Sequence, residues 1–179
     1  MFPETSEKTI PDGILPGGTL LLAGAAAGLA ALAVAGVASV ALDRPLAVPL
    51  VLAALALFCA YTLPPLRLNY RGGGELLETL GVGVVLPAVS AYFQCGHVTS
   101  ASSVVLLGFV PLALASAVAS GLSDERSDRA GGKRTLVMFL GNERARALVL
   151  VLAALGPAVW LAEAAFLGSG PPAMVLVAA

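Results

Sequence analysis

Apolar residues run through this chain in long blocks, broken by short clusters of charge, proline and glycine, and block length is the informative quantity. A helix rises about 1.5 Å per residue, so crossing roughly 30 Å of hydrocarbon takes about 20 residues. Five blocks approach or exceed that length: 17–41, 46–63, 75–95, 102–123 and 145–167. A sixth, 173–179, stops after a few residues. Between them lie DRP at 43–45, the polar segment 64–74, GHVTSA at 96–101, the charged segment 124–144 and GSGPP at 168–172. The pattern predicts an all-α, multi-pass transmembrane helical bundle, five full spans plus a partial sixth, forming one membrane domain over 1–179. A polar lead-in before the first span and an apolar stub at the end imply a chain that continues on both sides. No segment repeats at a fixed period, which removes solenoid architectures.

Composition strengthens this reading. Hydrophobic residues make up 58% of the 179 positions and charged ones 12%, about half the charged share of a soluble domain. Aromatics are only 6%, so Ala, Leu, Val and Gly carry the apolarity, as in closely packed membrane helices. A water-soluble enzyme core, a nucleic-acid reader and a disordered tail are excluded; the partner that composition names is the lipid bilayer. Cys59 and Cys95 both fall inside apolar blocks and offer neither metal-ligand spacing nor a disulfide framework. The N-terminus lacks the basic flank and apolar core of a secretory signal.

The formal net charge of −1 matters less than where the charges sit. Alternating the spans across a membrane places the N-terminus, 64–74 and 124–146 on one side. Lys8, Arg67, Arg71, Arg126, Arg129, Lys133, Arg134, Arg144 and Arg146 share that side, and Arg44 stands alone on the other. Such asymmetry marks the first side as cytoplasmic, in an integral protein of the cell (inner) membrane.

Three polar segments could carry chemistry, and all fall on that side. In DERSDRAGGKRTL, 124–136, a helix continuing from the preceding span puts Asp124 and Asp128 on one face at i and i+4. Like charges so placed call for a counter-charge, and Mg²⁺ is commonly held by one or two carboxylates plus substrate phosphates. Arg126, Arg129, Lys133 and Arg134 could neutralise a bound diphosphate. The plainer reading is a charged loop obeying the positive-inside rule. GGKRT is not a phosphate-binding P-loop, because Ser127 and Arg134 occupy places that motif reserves for Gly and Ser/Thr.

The second segment, YTLPPLRLNYRGGGELLETLG at 61–81, ends one helix at Pro64 and Pro65 and turns at Gly72, Gly73 and Gly74. Arg67 and Arg71 add cationic reach, while Glu75 and Glu78, in the first turn of the next helix, read as capping acids favoured by its dipole. The third, SEKTIPDGILPGG at 6–18, is a Pro/Gly loop in which Lys8 is the cation. His97 reads as solvated in a polar turn on the opposite side, and Glu163 as snorkelling near an interface.

Together these segments resemble the UbiA superfamily of intramembrane prenyltransferases. DERSDRAGGKRTL is similar to the second of that family's two Asp-rich motifs with its G-K-R-T continuation, YTLPPLRLNYRGGGEL to the loop after the fourth helix, and SEKTIPDGILPGG to the segment after the first Asp-rich motif. The resemblance covers nearly the whole chain, and the chain covers the middle of a nine-helix fold. The first motif, N-D-x-x-D, would lie upstream of Met1. The L-x-Y-R-G-x-G-E loop is most similar to the 1,4-dihydroxy-2-naphthoate polyprenyltransferase branch of menaquinone biosynthesis. In place of that branch's N-N-x-R-D run, this chain has SGLSD at 120–124.

The resemblance implies transfer of a polyprenyl group from its diphosphate to an aromatic acceptor, with Mg²⁺ on Asp124 and Asp128. It implies Tyr61 in the catalytic site and Arg67, Arg71, Arg129, Lys133 and Arg134 around the diphosphate. With one Asp pair, residues 1–179 alone are expected not to transfer prenyl groups efficiently. Two alternatives stand beside it: a catalytically inactive remnant of the same fold, and a small membrane transporter, which would call for polar residues at mid-bilayer.

Overall fold

The computed structural model describes residues 13–97 and 100–166. The expectations placed on 1–12, 98–99 and 167–179, including Lys8 and the apolar stub, lie outside them. Helices form at α1 (Gly17–Ala41), α2 (Ala47–Thr62), α3 (Leu68–Arg71), α4 (Gly74–Leu80), α5 (Leu86–Cys95), α6 (Ser100–Ala130), α7 (Leu136–Leu140) and α8 (Asn142–Phe166). A π-helical turn, Gly81–Val85, joins α4 and α5 into one span, Gly74–Cys95. Among the described residues no strand forms, and four helices are long and apolar enough to cross a membrane. The protein is an integral membrane helical bundle.

One span differs from expectation. The block 46–63 yields a helix of 16 residues, Ala47–Thr62, about 24 Å long and short of the hydrocarbon thickness. The turn containing Asp43 at φ 52° precedes it, and Pro64 and Pro65 follow too closely for it to extend.

Two compact units divide the chain, Met1–Val51 and Leu52–Ala179. In the first, α1 holds no charged residue and is apolar all round, the signature of a helix in lipid. Leu22 and Val40 are 74% and 88% exposed, which water would penalise and acyl chains do not. Ala35 and Ala38 are its buried positions.

In the second unit α6 and α8 pair along much of their length. Their backbones meet where side chains are smallest: a Cβ on Gly156 would lie 2.9 Å from the Gly108 carbonyl oxygen, and one on Gly108 would overlap the Trp160 indole. Small residues let membrane helices approach this closely and gain dispersion contacts. Phe109 meets the same indole edge-on, with centroids 5.4 Å apart. The Gly74–Cys95 span crosses α6 in similar fashion, since a Cβ on Gly83 would lie 2.9 Å from that of Ala113.

The π turn has a local cause. Pro87 lacks an amide N–H, so it cannot bond the carbonyl one turn back, and Gly81 and Gly83 remove side chains that would resist a wider turn. The Leu86 N–H instead reaches the Gly81 carbonyl.

At the polar end, α6 does not stop where the apolar block stops. Its 31 residues reach about 46 Å, carrying DERSDRA as helix beyond the hydrocarbon. The charged segment 124–144 is therefore not a simple loop: it contains the end of α6, a reversal, and α7. Thr135 caps α7, its Oγ1 accepting from the Met138 N–H at 3.3 Å. Val137 of α7 is fully buried with Val118 of α6 and Ala145 of α8, packed by Leu114, Leu122, Leu136, Leu148 and Val149. Burying one such valine is worth about 1.5–3 kcal/mol, so α7 pins the charged segment to the bundle.

Candidate functional site

The site begins with the way α6 ends. Gly132, at φ 69°, turns the chain back in a Schellman motif: the Lys133 N–H reaches the Asp128 carbonyl at 3.0 Å and the Gly132 N–H the Arg129 carbonyl at 3.2 Å. Folding back over the last turn brings the two side chains together, and Lys133 Nζ lies 2.6 Å from Asp128 Oδ1. Asp128 is buried and Lys133 half-buried. Burial works against the Lys133 charge, yet the hydrogen bond and charge of Asp128, aided by Tyr70 and Tyr61, hold its ammonium above the ordinary lysine value.

The second polar segment packs against this reversal. Arg67, at φ 43°, starts α3, and Gly72, at φ 93°, ends it, a left-handed conformation that glycine adopts without strain. The short helix presents Tyr70, whose ring has Arg67 at 3.8 Å from its centroid and Lys133 Nζ at 5.6 Å. The Tyr70 carbonyl accepts the Arg134 N–H at 3.1 Å, and Arg71 and Arg134 form an isolated parallel bridge. Two residues on, the Leu136 N–H donates to Glu75 Oε1 at 2.6 Å. The Asn69 Oδ1 is buried without a hydrogen-bond partner among the described residues.

Beneath these contacts lies a cavity of about 570 Å³ lined by Leu57, Phe58, Tyr61, Glu78, Val82 and Ser120 among others. It is apolar along its length, with Tyr61 and Glu78 supplying polar groups. Ser120 of its lining lies about two turns before Asp128 on α6, and Tyr61 and Glu78 flank the segment that carries Tyr70, so the cavity and the ion pair share one end of the unit.

The structure thus brings Tyr61, Arg67, Arg71, Asp128, Lys133 and Arg134 to one end of the second unit. Asp124 sits one turn before Asp128 on α6 and is exposed. Arg129 departs from expectation. Its guanidinium bonds Glu125 at 3.1 Å, and Glu125 in turn accepts from Asn142 at 3.0 Å. One residue's rotation around α6 turns it away from the Lys133 side. Glu75 departs in the other direction: read from the sequence as a capping acid, it is 8% exposed and bound to the other polar segment. The signal for it was the short R-G-G-G-E approach, which leaves little chain between Arg71 and the helix start. His97 is exposed and takes no part.

Whether these residues suit Mg²⁺ turns on the donor set. No group of three or more His, Cys, Asp or Glu side chains able to hold a metal forms among the described residues. Asp124 and Asp128 are hard oxygen donors one helical turn apart, which fits an ion that takes one or two carboxylates and completes its shell with water and phosphate.

A family model described as "UbiA prenyltransferase family" matches residues 3–179. The chain belongs to the UbiA prenyltransferase family. Among curated proteins, this UbiA chain is 26% identical over 126 residues to a 1,4-dihydroxy-2-naphthoate octaprenyltransferase of Bacillus subtilis (strain 168). That match covers 70% of this chain and 40% of the relative, so the UbiA chain spans less than half of that relative's length. No solved structure gives a significant match.

Proposed function

We propose that this UbiA chain acts in transfer of a polyprenyl group from its diphosphate to an aromatic acceptor, 1,4-dihydroxy-2-naphthoate being the favoured acceptor, with the polar segments facing the cytoplasm of the cell membrane. The observation that carries the reading is the adjacency of a cation-rimmed carboxylate site to an apolar cavity with polar groups at one end. A polyprenyl diphosphate has the same two-part chemistry.

The reaction breaks the allylic C–O bond, whose electron pair leaves with diphosphate; a ring carbon of the acceptor supplies the electrons for the new C–C bond and passes its proton to the released diphosphate. Lys133 and Arg134, with Arg67 and Arg71 from the facing segment, neutralise the leaving diphosphate. Preorganised cations aimed at charge that develops in the transition state are typically worth about 3–4 kcal/mol each. Asp124 and Asp128 are the residues that would hold Mg²⁺, which when bound supplies Lewis-acid stabilisation of phosphate oxygens. Lys133 neutralises Asp128 before substrate arrives. The walls formed by Leu57, Phe58 and Val82 keep water from the allylic cation. Tyr61 and Glu78, the ionisable groups of the cavity lining, orient the acceptor hydroxyls.

The test supplies radiolabelled polyprenyl diphosphate, Mg²⁺ and 1,4-dihydroxy-2-naphthoate to membranes carrying the full reading frame that contains residues 1–179. Prenylated naphthoate is expected. Transfer to other aromatic acceptors but not to this one would move the acceptor assignment, and binding without transfer to any acceptor would overturn the activity.

A further inference from the structure

We infer that Glu75 is a positioning residue whose carboxylate latches the two polar segments together, holding Lys133 and Arg134 where a diphosphate is bound. An acid in the first turn of a helix normally stays in water and gains from the dipole alone. Glu75 is instead buried, and its Oε1 accepts the N–H of Leu136, 61 residues away, at 2.6 Å. Its own carbonyl takes the Thr79 hydroxyl at 2.6 Å, which fixes the start of α4.

The position of Leu136 gives the contact its meaning. Residues 134 and 136 point their amides toward the facing segment, as alternate residues of an extended strip do. The Arg134 N–H finds the Tyr70 carbonyl. The next donor, Leu136 N–H, finds no backbone carbonyl, because Gly72 has turned the chain away and α4 has begun; the Glu75 carboxylate substitutes for the missing strand. Thr135, between the two, caps α7, and Val137 just beyond is fully buried. The Arg134–Tyr70 backbone bond and the Glu75 carboxylate together set the register of Lys133–Leu136 against Tyr70–Glu75, the carboxylate being the contact a side-chain substitution can remove. That register places Lys133 over both Asp128 and the Tyr70 ring.

The inference rests on the diphosphate reading for its functional half, so the test reads geometry and chemistry separately. Spin labels at Leu76→Cys and Phe139→Cys, both highly exposed positions, report the α4–α7 distance in the full chain in nanodiscs. Glu75→Gln keeps an oxygen acceptor and should keep a single narrow distance distribution; Glu75→Ala should broaden it. In the transfer assay Glu75→Ala should raise KM for the prenyl diphosphate about tenfold, the scale of one lost charge-assisted hydrogen bond, with Glu75→Gln within about threefold. A narrow, unshifted distribution in Glu75→Ala overturns the latch. Broadening in Glu75→Gln equal to that in Glu75→Ala supports the latch and assigns it to the carboxylate charge rather than to the acceptor oxygen alone. Broadening in Glu75→Ala together with no prenyl diphosphate binding in any variant supports the latch and removes the diphosphate reading instead.

Discussion

Two ion pairs sit within one turn of each other at the end of α6, and they do different work. Asp128–Lys133 spans 2.6 Å with side chains 9% and 29% exposed; Glu125–Arg129 spans 3.1 Å with side chains 30% and 69% exposed. Both join an acid to a base four or five residues on. The first crosses a chain reversal and is covered by α3 and the start of α4; the second lies along the helix surface, where Glu125 also accepts from the Asn142 amide, whose oxygen accepts from Arg146. What separates them is the segment packed over one of them. A covered pair is less screened and more costly to leave half-made, whereas an exposed i,i+4 pair contributes little.

The largest test of that contrast is activity. In the full reading frame, Asp128→Ala should lower prenyl transfer at least about a hundredfold, with Asp124→Ala comparable, while Glu125→Ala stays within about twofold. Equal losses at Asp128 and Glu125 would erase the distinction. Next is stability: Lys133→Met strands a buried carboxylate, and the unfolding free energy in detergent should fall by about 1.5–3 kcal/mol.

The pH dependence sharpens the same point. Because Asp128 holds the Lys133 ammonium above its ordinary value of 10.5, the pair's stabilisation is complete below that value and is lost as pH rises through the higher folded one. A wild-type melting temperature that drops above pH 10.5, and a Lys133→Met curve without that component, are expected. Coincident curves would detach the shift from the pair. The smallest effect belongs to Arg129→Ala, which should leave transfer within about twofold and the melting temperature scarcely moved.

Much of this arrangement was legible because membrane spans announce themselves by block length. α1 and the span Gly74–Cys95 follow their apolar runs closely. The end of α6 was legible only conditionally, since charge in a segment does not say whether helix continues through it. α7 was not legible: five apolar residues inside a charged stretch gain helical structure by plugging Val137 between α6 and α8, a tertiary effect. The i,i+4 spacing placed Asp124 and Asp128 on one face and was silent about which one α3 and α4 would cover. Glu75 was misjudged for the same reason, because its partner lies 61 residues away and local rules recommend a solvated cap. Arg129 and Lys133 looked alike as basic residues near an Asp-rich run; the Schellman turn at Gly132 separates them, and its Gly-Gly-Lys sequence was the available clue.

The π turn at Gly81–Val85 means that the Gly74–Cys95 span carries one more residue than a straight α-helix of the same path would need. Deleting a single codon there would let the helix close into regular α geometry along the same path, with the residues on either side keeping their facing. Leu86 and Val89 would stay in the cavity wall, while the wider turn that sets Gly81, Val82 and Val85 against the cavity would tighten. The apolar chamber can thus gain or lose one wall position in a single genetic step without re-registering the charged end.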